Sequence, residues 1–264
     1  ENNYSSNEFL FDFELIYKNN LNTKHKINLN YHQIKIDNEI SMLNPNYILS
    51  KDENSSKDYF YKISYQYILE KRNNNIYPNK GHYLDFEIGK NFSPNINHIE
   101  FNSHVEKHFS LNKSLFFGSS LKTRITNSSQ QAYYSAQTLG FDDYVRGYEF
   151  YVIDGENFYL SKTAIKYAII KNKKYDLPYL NIKQFKKSHF SIYATIFSDF
   201  GYAKNNTEFI NNSLTNTMLW GRGFSLDYVT YYDKLLRIEF SINELGEKGV
   251  FLHFSNPFGE TDKK

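Results

Sequence analysis

The sequence has no cysteine among its 264 residues. Disulfide bonds, thiolate catalysis and cysteine-based zinc sites are therefore excluded. The eight histidines are scattered without the spacing of a metal site, so we expect no metal. Lys and Arg together number 31 against 29 Asp and Glu, which leaves a net charge of only +2. This balance, without a basic cluster beside stacking aromatics, predicts no nucleic acid partner.

Long hydrophobic runs are also missing, and the mean hydropathy is −0.64. No stretch approaches the roughly 18 to 20 consecutive apolar residues of a membrane helix, so a helical membrane protein is excluded. Motifs of common enzymes are absent too. The sequence contains no G-x-S-x-G, HExxH or phosphate-binding loop, and Gly223-Phe224-Ser225-Leu226 lacks the second glycine of the first motif. We therefore expect a protein that is not an enzyme and needs no cofactor.

What the sequence does have is aromatic residues, with 24 Tyr and 23 Phe. These residues alternate with polar ones. Between Phe9 and Tyr17 the odd positions are apolar, whereas Asp12 and Glu14 lie opposite them. Residues 59–69 and 236–242 repeat this pattern. A period of two predicts β-strands with one apolar face and one polar face.

Such segments predict about eleven strands. Many contain ten or more residues, whereas strands of globular sandwiches usually have five or six and a tilted membrane strand needs about 9 to 11. We therefore predict an all-β fold, an antiparallel transmembrane β-barrel whose apolar face contacts lipid and whose charged face lines the interior space, the lumen. The predicted strands are 8–17, 25–36, 59–70, 83–92, 98–109, 114–126, 157–170, 188–202, 218–230, 235–243 and 249–258.

A soluble ligand-binding barrel of the lipocalin type is the alternative. There the apolar face would point inward and the charged face outward. Both arrangements have the same period of two, so the alternation alone leaves this alternative open.

Connections between the strands alternate in length, as the periplasmic turns and surface loops of such barrels do. The shortest include a predicted periplasmic turn at Tyr77, Pro78 and Gly81, in which Pro fixes φ and Gly tolerates positive φ. Long loops are predicted at 37–57, 127–156 and 203–217. The basic connection at 171–188 breaks the alternation and is interpreted as a solvated docking surface.

An odd number of strands conflicts with the even number found in bacterial barrels. The chain also begins at Glu1 without an initiator methionine or a signal peptide. We therefore expect residues 1–258 to be a barrel domain that lacks its N-terminal strands, followed by a tail at 259–264. A twelfth strand hidden around Met42 to Ser50 is the competing explanation.

Several motifs occur in a characteristic order. Residues 139–148 read LGFDDYVRGY, and Phe197-Ser198-Asp199-Phe200-Gly201 follows about fifty residues later. The turn IYPNKGHYL at 76–84 and the final segments GRGFSLDY, LLRIEFSI and GVFLHFSNPF complete the set. This set resembles the BamA/TamA-type outer-membrane assembly family, also called bacterial surface antigens, over about residues 60–258.

The resemblance implies the C-terminal part of a barrel of about sixteen strands in the bacterial outer membrane. It implies insertion or translocation of outer-membrane proteins without a cofactor. Expected partners are the lipid bilayer, unfolded outer-membrane proteins or one secreted cargo, and periplasmic or lipoprotein accessory subunits. A dedicated secretion channel or an anchor subunit is the alternative. The site residues that the resemblance implies are a lumen loop of Val145, Arg146, Gly147 and Tyr148, a pinning strand with Phe197, Asp199 and Gly201, and a weakly paired terminal strand with Gly249, Phe251, Phe254 and Phe258.

The residues themselves support one of these contacts. Alternation places Phe197, Asp199 and Gly201 on one face of a strand, the face that points into the lumen. A buried carboxylate needs a partner, and Arg146 on a long loop can supply a bidentate guanidinium. One departure concerns Thr163-Ala164-Ile165-Lys166, where the family pattern T-E-x-R carries an acid. The missing acid leaves open whether insertase activity is retained.

Overall fold

In the computed structural model, the described residues are 6–37, 47–48, 57–94, 96–128, 132, 134, 136–176, 187–206, 212–230 and 234–258. They form thirteen β-strands and no α-helix. The strands are β1 Ser6–Asn20, β2 Thr23–Ile36, β3 Lys57–Glu70, β4 Gly81–Phe92, β5 Asn97–Ser110, β6 Leu115–Thr126, β7 Gln137–Leu139, β8 Ile153–Asp154, β9 Asn157–Asp176, β10 Lys187–Lys204, β11 Met218–Thr230, β12 Leu235–Ile242 and β13 Lys248–His253.

Eleven of these strands form one antiparallel sheet in chain order, and β7 and β8 form a separate small hairpin between β6 and β9. The prediction of eleven long antiparallel strands is confirmed. Strands β9 and β10 extend further than predicted, with 20 and 18 residues. The basic connection predicted at 171–188 is therefore shorter than expected. Its remaining residues, 177–186, lie outside the described part of the chain.

The two faces of the sheet have opposite character. Large apolar side chains are exposed on one face, for example Ile196 at 69% and Phe224 at 60%. The other face buries charge, and Asp199 and Glu239 are fully inaccessible. This polarity is the inverse of a soluble barrel, so that alternative is wrong. An apolar outer face with a polar interior is typical of a barrel in lipid.

The sheet curls around its polar face. Tyr77 from the β3–β4 connection contacts Asp227 on β11, and Phe258 beyond β13 contacts His108 on β5. Elements far apart in the strand order therefore meet over the same face. No helix in the described ranges is long and apolar enough to cross a membrane.

The two edge strands differ. All fifteen residues of β1 are exposed, whereas β13 has only six residues. Among the residues that the structure describes, these two strands are not paired with each other. The proposed twelfth strand at Met42 to Ser50 falls almost entirely outside the described residues. Its two described members, Tyr47 and Ile48, lie in a bend.

The predicted terminal strand at 249–258 is too long, because β13 ends at His253. Asn256 Oδ1 accepts a hydrogen bond from the Phe258 amide at 3.1 Å, which fixes a turn. Pro257 between them has no N–H to donate to a strand ladder. The chain therefore leaves the sheet, and Phe258 is buried in the interior instead of forming part of the terminal strand.

The turn predicted at Tyr77, Pro78 and Gly81 is also different from expectation. Gly81 begins β4 with φ of 107°, and a Cβ there would lie 2.1 Å from the Lys71 carbonyl oxygen. Residues 71–80 form an ordered connection in which Asn74 Oδ1 accepts hydrogen bonds from the amides of Ile76 and Tyr77. Tyr77 is only 3% exposed. The connection therefore folds over the polar face and is longer than the predicted turn.

Candidate functional site: a loop held inside the sheet

A long connection between β6 and β9 enters the interior. Its base is the β7–β8 hairpin, where Thr138 Oγ1 donates to the Ile153 carbonyl at 2.5 Å. Gly140, at φ of 94°, turns the chain, and its amide donates to the Asp143 carbonyl at 2.7 Å. The loop has its own apolar core against the strand walls, formed by Leu139, Val145, Tyr148, Ile153, Phe158, Leu160, Ala203, Leu214 and Leu219. This packing makes the loop an ordered part of the interior.

Arg146 and Asp199 form a bidentate ion pair between the loop and β10. Arg146 Nε lies 2.6 Å from Asp199 Oδ2, and Nη2 lies 2.5 Å from Oδ1. The Arg146 backbone amide also donates to Oδ2, at 3.3 Å. Both side chains are fully buried. Removing one partner of such a pair leaves an uncompensated buried charge, so the two residues hold the loop against the wall. We call the Arg146–Asp199 pair the pin.

Phe197, two residues before Asp199 on the same face of β10, supports the guanidinium. Arg146 Cζ lies 3.8 Å from the centre of the Phe197 ring. A cation over an aromatic face is attracted by the ring quadrupole, most strongly where water is excluded. Phe197 and Asp199 therefore bind the same guanidinium from one strand, as the period of two permits.

Glycines on β10 and β11 make room for the loop. A Cβ at Gly201 would lie 2.3 Å from Val145 Cγ2. A Cβ at Gly221 would lie 1.7 Å from the Arg146 carbonyl oxygen. A side chain at Gly221 would displace the loop backbone, and one at Gly201 would displace the Val145 side chain. Gly221 is a site residue that sequence reasoning missed, although its place in the Gly221-Arg222-Gly223 sequence was visible.

The far side of the loop binds the turn between β12 and β13. Asn243 Nδ2 donates to the Gly147 carbonyl at 2.9 Å, and the Tyr148 hydroxyl accepts from the Glu244 amide at 3.2 Å. Tyr151 donates to Glu247 Oε1 at 2.7 Å. Gly147 has φ of 93°, which an L side chain rarely adopts. The VRGY segment thus bridges β10 and the last hairpin of the sheet.

Charged groups surround the pin. Lys122 Nζ lies 2.6 Å from Asp143 Oδ1 of the loop, and Lys162 Nζ lies 4.5 Å from the centre of the Tyr144 ring. Burial lowers the pKa of the Arg146 guanidinium, but Asp199 outweighs it and raises that pKa above its ordinary value. Burial, with the nearby Glu239 charge, raises the pKa of the Glu149 carboxyl to about 7. The guanidinium therefore stays charged, whereas Glu149 titrates near neutral pH.

The sequence predicts no metal site. Among the described residues, one group of three side chains could hold a metal ion. Glu149, Glu239 and His253 bring ligand atoms within 4.8 Å of one another. Arg237 Nε lies 3.3 Å from Glu239 Oε2 and already supplies a positive charge there. We therefore assign no metal to this group.

The remaining expected site residues are spread over the interior and the last strand. Gly249 and Phe251 lie in β13, and Phe251 contacts Phe150 of the loop with ring centres 5.5 Å apart. Phe254 follows the strand and is exposed. Tyr77 donates its hydroxyl hydrogen to Asp227 Oδ2 at 2.6 Å. The structure thus brings together the loop and pinning residues, and places Tyr77 elsewhere in the same interior.

These features define a class: a transmembrane β-barrel whose polar interior holds one of its own loops through a buried ion pair. Residues 1–242 match the family model of the Omp85 superfamily domain. The chain belongs to the Omp85 superfamily.

Comparison with solved structures agrees with this assignment. The chain is similar to the crystal structure of BamA from Haemophilus ducreyi lacking POTRA domains 1-3, with a TM-score of 0.64 and 12% identity. The match covers 94% of this chain and 53% of that chain, so this chain spans about half its length. At this identity the likeness establishes the fold. No curated protein matches the sequence.

Proposed function

We propose that the chain is the barrel part of an integral bacterial outer-membrane protein that inserts or translocates other outer-membrane proteins. The observation that carries the proposal is the Arg146–Asp199 pair, which fixes an internal loop to the wall of an Omp85-type barrel. In this proposal the activity depends on the positions of backbone hydrogen-bonding groups and charged side chains. It requires no cofactor or covalent step.

The edge of the sheet supports the insertion of strands. β13 has six residues and, among the described strands, pairs with β12 alone. An unpaired strand edge offers backbone N–H and C=O groups to an incoming strand, which is the mode of recognition called β-augmentation. The outer face would contact the lipid bilayer, while unfolded outer-membrane proteins would be the substrates. Accessory subunits would bind outside the membrane.

The role of the pin in this proposal is mechanical. The loop contacts β10 through Asp199 and the β12–β13 turn through Asn243. It therefore sets the position of the last hairpin relative to the rest of the wall. Loss of the pin should leave the wall in place but remove this constraint on the terminal strand.

Depletion of the full-length protein in its native host, followed by quantitative outer-membrane proteomics, tests the proposal. Complementation with wild type should restore β-barrel proteins broadly, whereas Arg146→Ala should not. Arg222→Ala is the matched control, because Arg222 is exposed and faces the Trp220 ring.

The pattern of loss separates the possible roles. A broad loss of β-barrel proteins supports a general assembly factor. Loss of one cargo identifies a dedicated secretion channel, and no loss identifies an anchor subunit. Either of the last two results contradicts the proposal, as does full complementation by Arg146→Ala at wild-type abundance.

A further inference from the structure

The segment after β13 enters the interior as a separate element. It begins at Phe254, which is 70% exposed, and ends at Phe258, which is 1% exposed. Lys162 Nζ donates to the Pro257 carbonyl at 3.2 Å, and Asn256 Nδ2 donates to the Asn75 carbonyl at 3.1 Å. The segment is thereby attached both to β9 and to the β3–β4 connection.

A recess in the wall receives the Phe258 ring. Gly118 on β6 and Ala164 on β9 are register partners. Neither carries more than a methyl group, so the pair leaves space among the larger side chains of the two strands. A Cβ at Gly118 would lie 2.8 Å from Phe258 Cζ. His108 meets the ring edge to face, with ring centres 5.1 Å apart. The ring therefore fills a site that two adjacent small residues create.

Phe258 lies in the same buried cluster as Phe197, whose register partner on β9 is Ala164. The buried side chains of Ala164, Phe197 and Phe258 form one cluster. Phe197 is also the ring on which the Arg146 guanidinium lies, at 3.8 Å. Packing on Phe197 therefore limits the movement of the surface that supports Arg146. A void in this cluster would let the Phe197 ring change its position.

We propose that Phe258 is a positioning residue for the lumen loop: it holds Phe197 in the orientation on which Arg146 rests. The segment after β13 thus acts on the VRGY loop through the ring that supports Arg146. This inference rests on the proposed function, in which the loop position sets the terminal hairpin. The segment after β13 then contributes to the position of the loop from the interior and not from the strand edge.

Hydrogen exchange of the loop amides tests this role. The full-length protein is refolded in detergent micelles, and exchange is followed by mass spectrometry in peptides covering 140–152. Phe258→Ala should speed exchange of these peptides about tenfold or more, because local opening becomes easier. Phe254→Ala is the matched control and should leave it unchanged. Phe258→Leu, which refills the recess, should restore most of the protection.

Two results would overturn the proposal. One is unchanged loop exchange in Phe258→Ala. The other is an equal rise in the exchange of amides in β2 and β12, which would show that Phe258 stabilises the whole sheet and not the loop in particular. If Phe258→Ala does not fold, Gly118→Ala decides, because its methyl group would press from the wall on the Phe258 ring and on His108, which packs against that ring. Faster loop exchange supports the proposal, and wild-type exchange contradicts it.

The experiment is separate from the test of assembly. Loop exchange is measured on purified protein without substrate. If Arg146→Ala complements fully while Phe258→Ala loosens the loop, the proposed function is wrong and the positioning role stands. If Arg146→Ala fails to complement while Phe258→Ala leaves the loop protected, only the positioning role is wrong.

Discussion

The inner faces of β1–β2 and of β9–β12 both carry acid–base pairs, yet these pairs differ in burial. Glu14 on β1 lies 3.1 Å from Lys26 on β2, and the Glu14 side chain is 40% exposed. Arg146 and Asp199 are at most 1% exposed. The same charges are screened by water in the first region and excluded from it in the second. The comparison teaches that burial, and not the presence of an ion pair, determines what a pair contributes.

The difference has a structural cause. On β1 and β2, Glu14 and Lys26 contact each other across neighbouring strands and remain partly accessible to water. The inner faces of β10 and β11 are covered by the β6–β9 loop, for which Gly201 and Gly221 leave room. We call these two parts the open region, β1–β4, and the covered region, β9–β12.

Asp199→Ala is expected to have the largest effect. It leaves Arg146 buried without its carboxylate, which should lower the free energy of unfolding by about 3 to 5 kcal/mol. Urea unfolding of the full-length protein in detergent, followed by the gel mobility of unheated samples, measures the loss. Glu14→Ala in the open region is the matched control and should cost at most about 1 kcal/mol. Equal losses would contradict the comparison.

Gly221→Ala should cost about 3 kcal/mol, because its methyl group would overlap the Arg146 carbonyl oxygen. A Cβ at Gly89 in the open region would meet Lys62 Cε at 2.8 Å, near the end of a flexible side chain, and Ser64 Cβ at 3.2 Å. Gly89→Ala should therefore cost less than about 1 kcal/mol. The same unfolding measurement applies. A larger loss of unfolding free energy at Gly89 than at Gly221 would contradict the conclusion that Gly221 makes room for the loop.

Tyr77→Phe tests a connection that reaches the covered region. It removes the 2.6 Å hydrogen bond to Asp227, while Thr195 still donates to that carboxylate at 2.7 Å. Loss of one bond to a charged group should cost about 1.5 kcal/mol in the same unfolding assay. Tyr17→Phe on exposed β1 should change stability by less than about 0.5 kcal/mol. A silent Tyr77→Phe would show that the hydroxyl contributes nothing there.

A further expected effect is a pH dependence of the loop. Burial, followed by the nearby Glu239 charge, raises the pKa of Glu149 from 4.5 to about 7. Because the folded pKa lies above the unfolded one, the stability of the loop is highest below pH 4.5 and falls as pH rises through about 7. Exchange of loop amides, corrected for the intrinsic pH effect, should therefore accelerate between these values. Glu149→Gln should abolish that acceleration, and an unchanged profile would contradict the assignment.

Much of the fold was predictable because it depends on local pattern. Alternation at Phe9 to Tyr17 or Leu236 to Ile242 identifies a strand and its two faces, since side chains alternate whatever lies beside them. Strand length then favours a membrane barrel, and the order of the VRGY and F-x-D-x-G motifs indicates the family. The pattern does not say where a strand stops, which is why the last strand was predicted through Phe258 and ends at His253.

The sequence by itself determined the strands, their apolar and polar faces, and the family of the chain. Only the tertiary structure decided which interior residues meet: Gly221 beneath the Arg146 carbonyl, Tyr77 against Asp227, and Phe258 in the recess between Gly118 and Ala164. The physical reason is that a period of two assigns a side chain to a face but not to a partner. Partners across a curved sheet depend on register, curvature and the course of the connections, which are properties of the whole chain.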